Sequence, residues 1–176
     1  MRISSLRNFG AAPRSREKEN LVEELHGNPF SYCLRVRFQE CDGQRVVFNS
    51  RYGDFIDLAV GEYVRTIGVL HPELADPFDY QLVKQMVEWK RPARFDDVLD
   101  VRVRTLSVGN TSFQVECAIY RVGEESRLCR AETVYVLMDT DHTSKRAIPE
   151  SLRAGLLAGA PGYRVDHADC TPRLYG

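Results

Sequence analysis

Apolar and polar residues alternate most regularly in the second half of the chain. Leu99, Val101, Val103 and Thr105 alternate with Asp100, Arg102 and Arg104, and Phe113, Val115, Cys117 and Ile119 with Gln114, Glu116, Ala118 and Tyr120. A period of two marks a strand with one buried face. These runs predict strands over 98–108 and 113–120, with Gly109-Asn110 and Gly123-Glu124-Glu125 as the turns that follow them. A β-branched and aromatic run over 128–138 predicts another strand, and a mixed run over 82–90, ending at Pro92, predicts one before them. Nearer the N-terminus, Tyr32, Leu34, Val36 and Phe38 alternate with Cys33, Arg35, Arg37 and Gln39. The first strand of the domain is expected there.

Only one stretch carries a long helical period. Tyr52, Phe55, Ile56, Ala59, Val60, Tyr63 and Ile67 spread widely around a helix predicted over about 50–68, with Asn49 or Ser50 as N-cap, Asp54 in the first turn and Gly68 as its end. So wide an apolar surface is expected to be covered from more than one side. A short helix is expected over 17–26, stopped by Gly27-Asn28-Pro29, and another near 150–157 after Pro149. Residues 71–78, with Pro72 and Pro77, and residues 139–146 read as loops. The order is strand, long helix, then four strands with short turns. A sheet with one apolar face needs a cover, and the long helix is the available one. The expected organisation is an N-terminal extension over 1–30, one domain over 31–158, and a tail over 159–176.

Composition narrows the class of molecule. The chain has 176 residues, an apolar fraction of 43% and a formal net charge of −1. That is an ordinary single domain with no overall electrostatic claim on nucleic acid. No apolar stretch is long enough to span a membrane. Five widely spaced cysteines without a CxxC pair argue against a disulfide scaffold or a zinc knuckle, and the four histidines form no metal motif. Cys33, Cys117 and Cys129 lie in apolar runs and read as small buried hydrophobes. A reducing, cytoplasmic setting is expected, with no metal and no cofactor. The Arg- and Ser-rich start of the chain has no apolar signal core and reads as a solvated tail.

From Phe38 to Tyr52 the chain reads F-Q-E-C-D-G-Q-R-V-V-F-N-S-R-Y. This resembles the signature of the 4-hydroxybenzoyl-CoA thioesterase family, in which a strand and an Asp-containing loop lead into a central helix. R-F-D-D-V-L at 94–99, G-N-T-S-F at 109–113, A-E-T-V-Y-V at 131–136 and I-P-E at 148–150 resemble later family segments in the right order. The resemblance covers roughly residues 32 to 155. It implies an α+β hot-dog fold, a five-stranded antiparallel sheet wrapped around one long helix. It also implies an acyl-CoA substrate and a homodimer or homotetramer with its site between subunits. Asp42 matches the family's catalytic carboxylate. Asn49 matches the position whose backbone N–H polarises the thioester carbonyl. Arg45 stands where many members have Gly in a D-x-x-G stretch, a large cation that would either contact a CoA phosphate or crowd the acyl site, so substrate handling is expected to differ there.

Thioester hydrolysis needs a carboxylate that attacks the carbonyl or activates water, and fixed donors for the developing oxyanion. A loop running into a helix N-terminus supplies both within a few residues. The structural alternative for Asp42 is a turn-forming Asp before Gly43. Glu62, on the helix, is a second candidate acid, with pairing to an Arg as its structural alternative; Glu40 reads as exposed or structural. Arg45, Lys90, Arg91 and Arg94 are candidates for the phosphates of coenzyme A, with Arg121, Arg127 and Arg130 as rivals and solvated surface charge as the commoner explanation. Tyr52, Phe55 and Tyr63 read as acyl-pocket walls or as core. A dehydratase would need a His beside the acid, and none lies near Asp42. A non-catalytic binder of acyl-CoA or acyl-carrier protein is the other reading.

Overall fold

The computed structural model describes residues 29–71 and 79–169. Most of the expected N-terminal extension, with its short helix, and most of the loop at 71–78 therefore lie outside the described residues. Strands β1 (Phe30–Arg35), β2 (Tyr80–Trp89), β3 (Val98–Val108), β4 (Ser112–Arg121) and β5 (Cys129–Leu137) and helices α1 (Arg51–Leu70) and α2 (Glu150–Ala158) form where the periodicity places them, within a few residues. Gly68 does not end α1. An isolated glycine costs about 1 kcal/mol in a helix, and the helix continues to Leu70, with the His71 N–H donating to the Ile67 carbonyl at 3.0 Å.

The strands form one sheet in the order β2-β5-β4-β3-β1-β6. The sixth strand, β6 (Arg164–Asp166), corrects the expected count of five and the all-antiparallel arrangement. It runs parallel to β1, Tyr32 opposite Val165, on the edge β1 would otherwise present to solvent. Three residues are too few to carry a periodic signal. What places them is the row of open backbone groups along β1. The sheet thus recruits chain beyond residue 158, from the segment expected to be a tail.

The buried faces of β1, β3, β4 and β5 pack against α1 and α2 in one core. Phe30, Leu99, Val101, Ile119, Ala131 and Leu137 face Phe55, Ile56, Ala59, Val60 and Ile67. The buried positions of α1 recur at spacings of three and four and form a single stripe. The stripe is covered by the sheet and by α2, and Asp54, Asp57, Leu58 and Arg65 face outward. Strand β2 is the other edge of the sheet, and Leu82, Val83, Met86 and Trp89 are largely exposed on it.

Candidate active site

The chain between β1 and α1 is a tight reversal. Phe38–Glu40 form a 3-10 turn, and Glu40 turns inward, 5% exposed. Its carboxylate accepts from the Arg37 backbone N–H at 2.7 Å and from Arg37 Nε at 2.9 Å. Glu40 is thus spent on holding the turn. Cys41 then bridges Val47 in antiparallel fashion, and the Phe48 N–H donates to the Glu40 carbonyl at 3.0 Å. Inside this bridge lies Asp42. Its N–H donates to the Val46 carbonyl and its carbonyl accepts from the Arg45 N–H, both at 2.9 Å. Its Oδ1 accepts from the Gln44 N–H at 2.8 Å. The turn-forming role is therefore real, but it uses one oxygen. Oδ2 has no partner among the described residues, and the side chain is half-buried.

The left-handed position in this turn is Arg45, with φ 63°, and not Gly43. A residue with a Cβ there costs about 1 kcal/mol, which is the physical reason a glycine suits the position. Arg45 is exposed and makes no ion pair among the described residues.

Two bonds fix the reversal to the rest of the fold. The Val47 N–H donates to the Ala93 carbonyl at 2.8 Å, and the buried Ala93 N–H donates to the Tyr52 hydroxyl at 2.9 Å. The crossover 90–97 between β2 and β3 is thereby clamped between the reversal and the first turn of α1. Tyr52 is almost fully buried, and burial pushes its phenol pKa up. At the helix start the Arg51 N–H reaches the Phe48 carbonyl and the Gly53 N–H the Ser50 carbonyl. The N–H groups of Asn49 and Ser50 have no acceptor among the described residues, and Ser50 makes no side-chain cap. An uncapped helix end next to a carboxylate leaves donors open for a developing negative charge.

The candidate cations separate into two kinds. Arg91 is tied to Glu124 at 2.9 Å and to the Ser126 carbonyl. Arg121 is held by Asp97 at 2.8 Å and by Glu124, which pushes its pKa up and that of Glu124 down. Arg130 pairs with Glu116 and Glu132. Arg127 keeps a buried Nε with no hydrogen-bond partner among the described residues. Lys90 and Arg94, like Arg45, are exposed and make no ion pair among the described residues.

Glu62 sits roughly 16 Å along the helix axis from Arg51, paired with Arg65 and beside Tyr32. Within one chain it does not join the Asp42 turn. Burial and then the charges of Glu40 and Asp42 raise the Cys41 thiol above its ordinary range, which disfavours its thiolate. A cavity of about 350 Å³ lies at the opposite end of α1, lined by Phe30, Tyr63, Thr105, Leu156, Gly159 and Pro161. It holds none of the candidate residues except the core tyrosine Tyr63, whose hydroxyl bonds Thr105 Oγ1 at 2.9 Å. The sequence reading missed Phe38 and Phe95. These exposed aromatics pack edge to face at 5.9 Å beside the Asp42 turn. Alternation had suggested a buried strand face for Phe38, Phe95 stood out only as part of the R-F-D-D-V-L segment, and the fold exposes both. No helix among the described residues is long and apolar enough to cross a membrane.

Comparison with known proteins places this geometry in context. The sequence profile of the thioesterase-like superfamily matches residues 36–156. The chain is similar to the acyl-CoA thioester hydrolase YbgC of Escherichia coli O6:H1, 29% identical over 126 residues, covering 71% of this chain and 93% of that protein. The acyl-CoA thioesterase YbgC of Haemophilus influenzae is 25% identical over 129 residues, covering 72% and 93%. Among solved structures, the Aquifex aeolicus protein AQ1494 superposes with a TM-score of 0.64 at 26% identity, over 73% of this chain and 99% of that one. The BH1999 gentisyl-coenzyme A thioesterase superposes with a TM-score of 0.62 at 23% identity, over 72% and 98%.

Proposed function

This chain belongs to the thioesterase-like superfamily and is a thioester hydrolase, and we propose that it cleaves acyl-CoA esters with Asp42 as its catalytic carboxylate. The observation that carries the reading is the state of Asp42. One oxygen holds the turn, the other is unengaged, and the same turn feeds a helix start with open N–H groups. Oδ2 takes a proton from water, whose oxygen attacks the thioester carbonyl, or attacks that carbon itself to give an anhydride that water then opens. In either case the C–S bond breaks and CoA leaves as the thiol. The Asn49 N–H receives the oxyanion, and fixed donors of this kind need no rearrangement as charge develops. Lys90, Arg94 and Arg45, exposed and without an ion pair among the described residues, are the cations for the phosphates of CoA in this reading, while Arg91 is paired with Glu124. Tyr52 supports the site by holding Ala93, and Glu62 contributes to substrate only across a subunit contact.

The enzyme works as a homodimer or homotetramer. Strand β2 carries an open edge, and Leu82, Val83 and Trp89 on it, with Leu58 on the outward face of α1, form apolar surface that a second copy covers. None of the four described cysteines is in a disulfide, and three are buried, which fits a reducing, cytoplasmic setting.

A panel of acyl-CoAs assayed for released thiol tests the activity, and sedimentation tests the assembly. Binding without release of thiol would favour the non-catalytic carrier reading. A monomer at micromolar concentration would remove the interface.

A further inference from the structure

Two large aromatic side chains stand in solvent next to the catalytic turn, Phe38 at 80% exposure and Phe95 at 56%. Their rings meet at 83°, so together they form a right-angled apolar corner. The backbone beneath them is held firmly. Phe38 opens the 3-10 turn that Glu40 staples, and Phe95 rides on a turn closed by the Arg94 N–H to Asp97 Oδ2 at 2.8 Å. Asp96 in that turn adopts φ 68° and is tied to Arg35 at 3.2 Å. A non-glycine residue in that region costs about 1 kcal/mol, and the turn's effect is to hold Phe95 outward. The Cys41 N–H donates to the Phe38 carbonyl at 3.1 Å, so the corner adjoins the Asp42 turn.

Apart from Asp42, whose open oxygen belongs to the catalytic turn, the acids around the corner are matched within the fold. Glu40 is matched by Arg37, Asp96 by Arg35 and Asp97 by Arg121. Arg94 and Arg45 are matched by nothing among the described residues. A flat aromatic ligand that carries phosphates suits such a place. A second copy centred here on a two-fold axis would instead set unpaired cations against their own mates.

We propose that the Phe38–Phe95 corner is the adenine subsite, with Arg94 and Arg45 on the phosphates of the same nucleotide. This rests on the acyl-CoA reading above. It goes further in naming coenzyme A itself, rather than the phosphopantetheine arm of a carrier protein, as the preferred thiol carrier. Titration calorimetry of the full-length protein with free coenzyme A and with 4′-phosphopantetheine tests it. The wild type binds coenzyme A about tenfold more tightly than phosphopantetheine, as expected for one stacked base. Phe95→Ala and Phe38→Ala lose most of that advantage, keeping only what the arginine–phosphate contacts add, and keep their affinity for phosphopantetheine, while Phe95→Trp retains it. Arg94→Glu weakens coenzyme A binding further. Equal affinity of the wild type for the two probes overturns the proposal, as does an equal loss for both probes in the alanine variants. Sedimentation of the alanine variants at a smaller oligomer overturns it too, since the corner would then be a contact between copies. Binding is read without turnover. A wild type that prefers coenzyme A but hydrolyses no acyl-CoA therefore supports the subsite and removes the hydrolase reading. One that cleaves acyl-CoA but binds both probes equally does the reverse.

Discussion

Two groups of arginines in this molecule differ in whether the fold supplies their partners. On the outer face of the sheet Arg104 and Arg130 converge on Glu116, which is 8% exposed at its side chain, and Arg130 also reaches Glu132. These cations come from neighbouring strands in register, Arg104 opposite Glu116 and Glu116 opposite Glu132, so the ladder itself supplies their partners. At the end of the sheet that carries the Asp42 turn, Arg45 and Arg94 have none among the described residues, and Arg45 sits on a backbone angle that disfavours it. An arginine matched within the fold has its role there. One held in a costly position without a match is the kind we propose for a ligand.

The sharpest way to test that contrast is to remove the chemistry the second group serves. Asp42→Asn is expected to lower kcat by at least about 100-fold, the scale of a lost general base or nucleophile, while the melting temperature stays near that of the wild type. Released-thiol kinetics and a thermal melt check both halves. An Asn variant with near-normal kcat sinks the assignment and turns attention to Glu62 of a second subunit.

Glu116→Ala should act in the opposite sense. It strands Arg104 and Arg130, and because both are partly exposed the cost is about 2 kcal/mol rather than that of a fully buried pair. Urea unfolding should show the loss, and KM for acyl-CoA should hold. A KM that rises with no loss of stability would erase the distinction between the two groups.

Tyr52→Phe probes the clamp that joins the two regions. It leaves the buried Ala93 N–H without an acceptor, for about 1–2 kcal/mol of stability. The loss in kcat/KM is expected to exceed that of an equally destabilising core variant, because the crossover 90–97 carries Arg94. Comparison with Ile119→Val, judged at matched stability, checks it.

The smallest effect is expected at Arg45→Gly. Relief of the left-handed backbone, less the flexibility glycine adds to the unfolded chain, is worth about 0–0.5 kcal/mol in favour of folding. KM for acyl-CoA should rise severalfold, and hydrolysis of N-acetylcysteamine esters, which lack the nucleotide, should not change. A variant that is both more stable and equally good on acyl-CoA would mean that Arg45 points to solvent.

Much of this protein was legible along the chain. Period-two runs at 98–108 and 113–120 and the stripe from Tyr52 to Ile67 specify their elements locally, because alternation and helical spacing are properties of neighbours in sequence. The Asp42 segment was legible for the same reason, since turn, carboxylate and helix start are contiguous. What the tertiary structure alone decided are pairings between distant segments. Strand β6 exists because β1 offers an open edge. Tyr52 is committed to Ala93, 41 positions away. Arg91 and Arg121 are claimed by Glu124 and Asp97 while Arg94 is left open. Phe38 and Phe95, 57 positions apart, become one exposed corner. A sequence states which groups carry charge or apolar surface. Whether a partner meets them depends on which strands lie side by side, and that is settled by the packing of the whole chain.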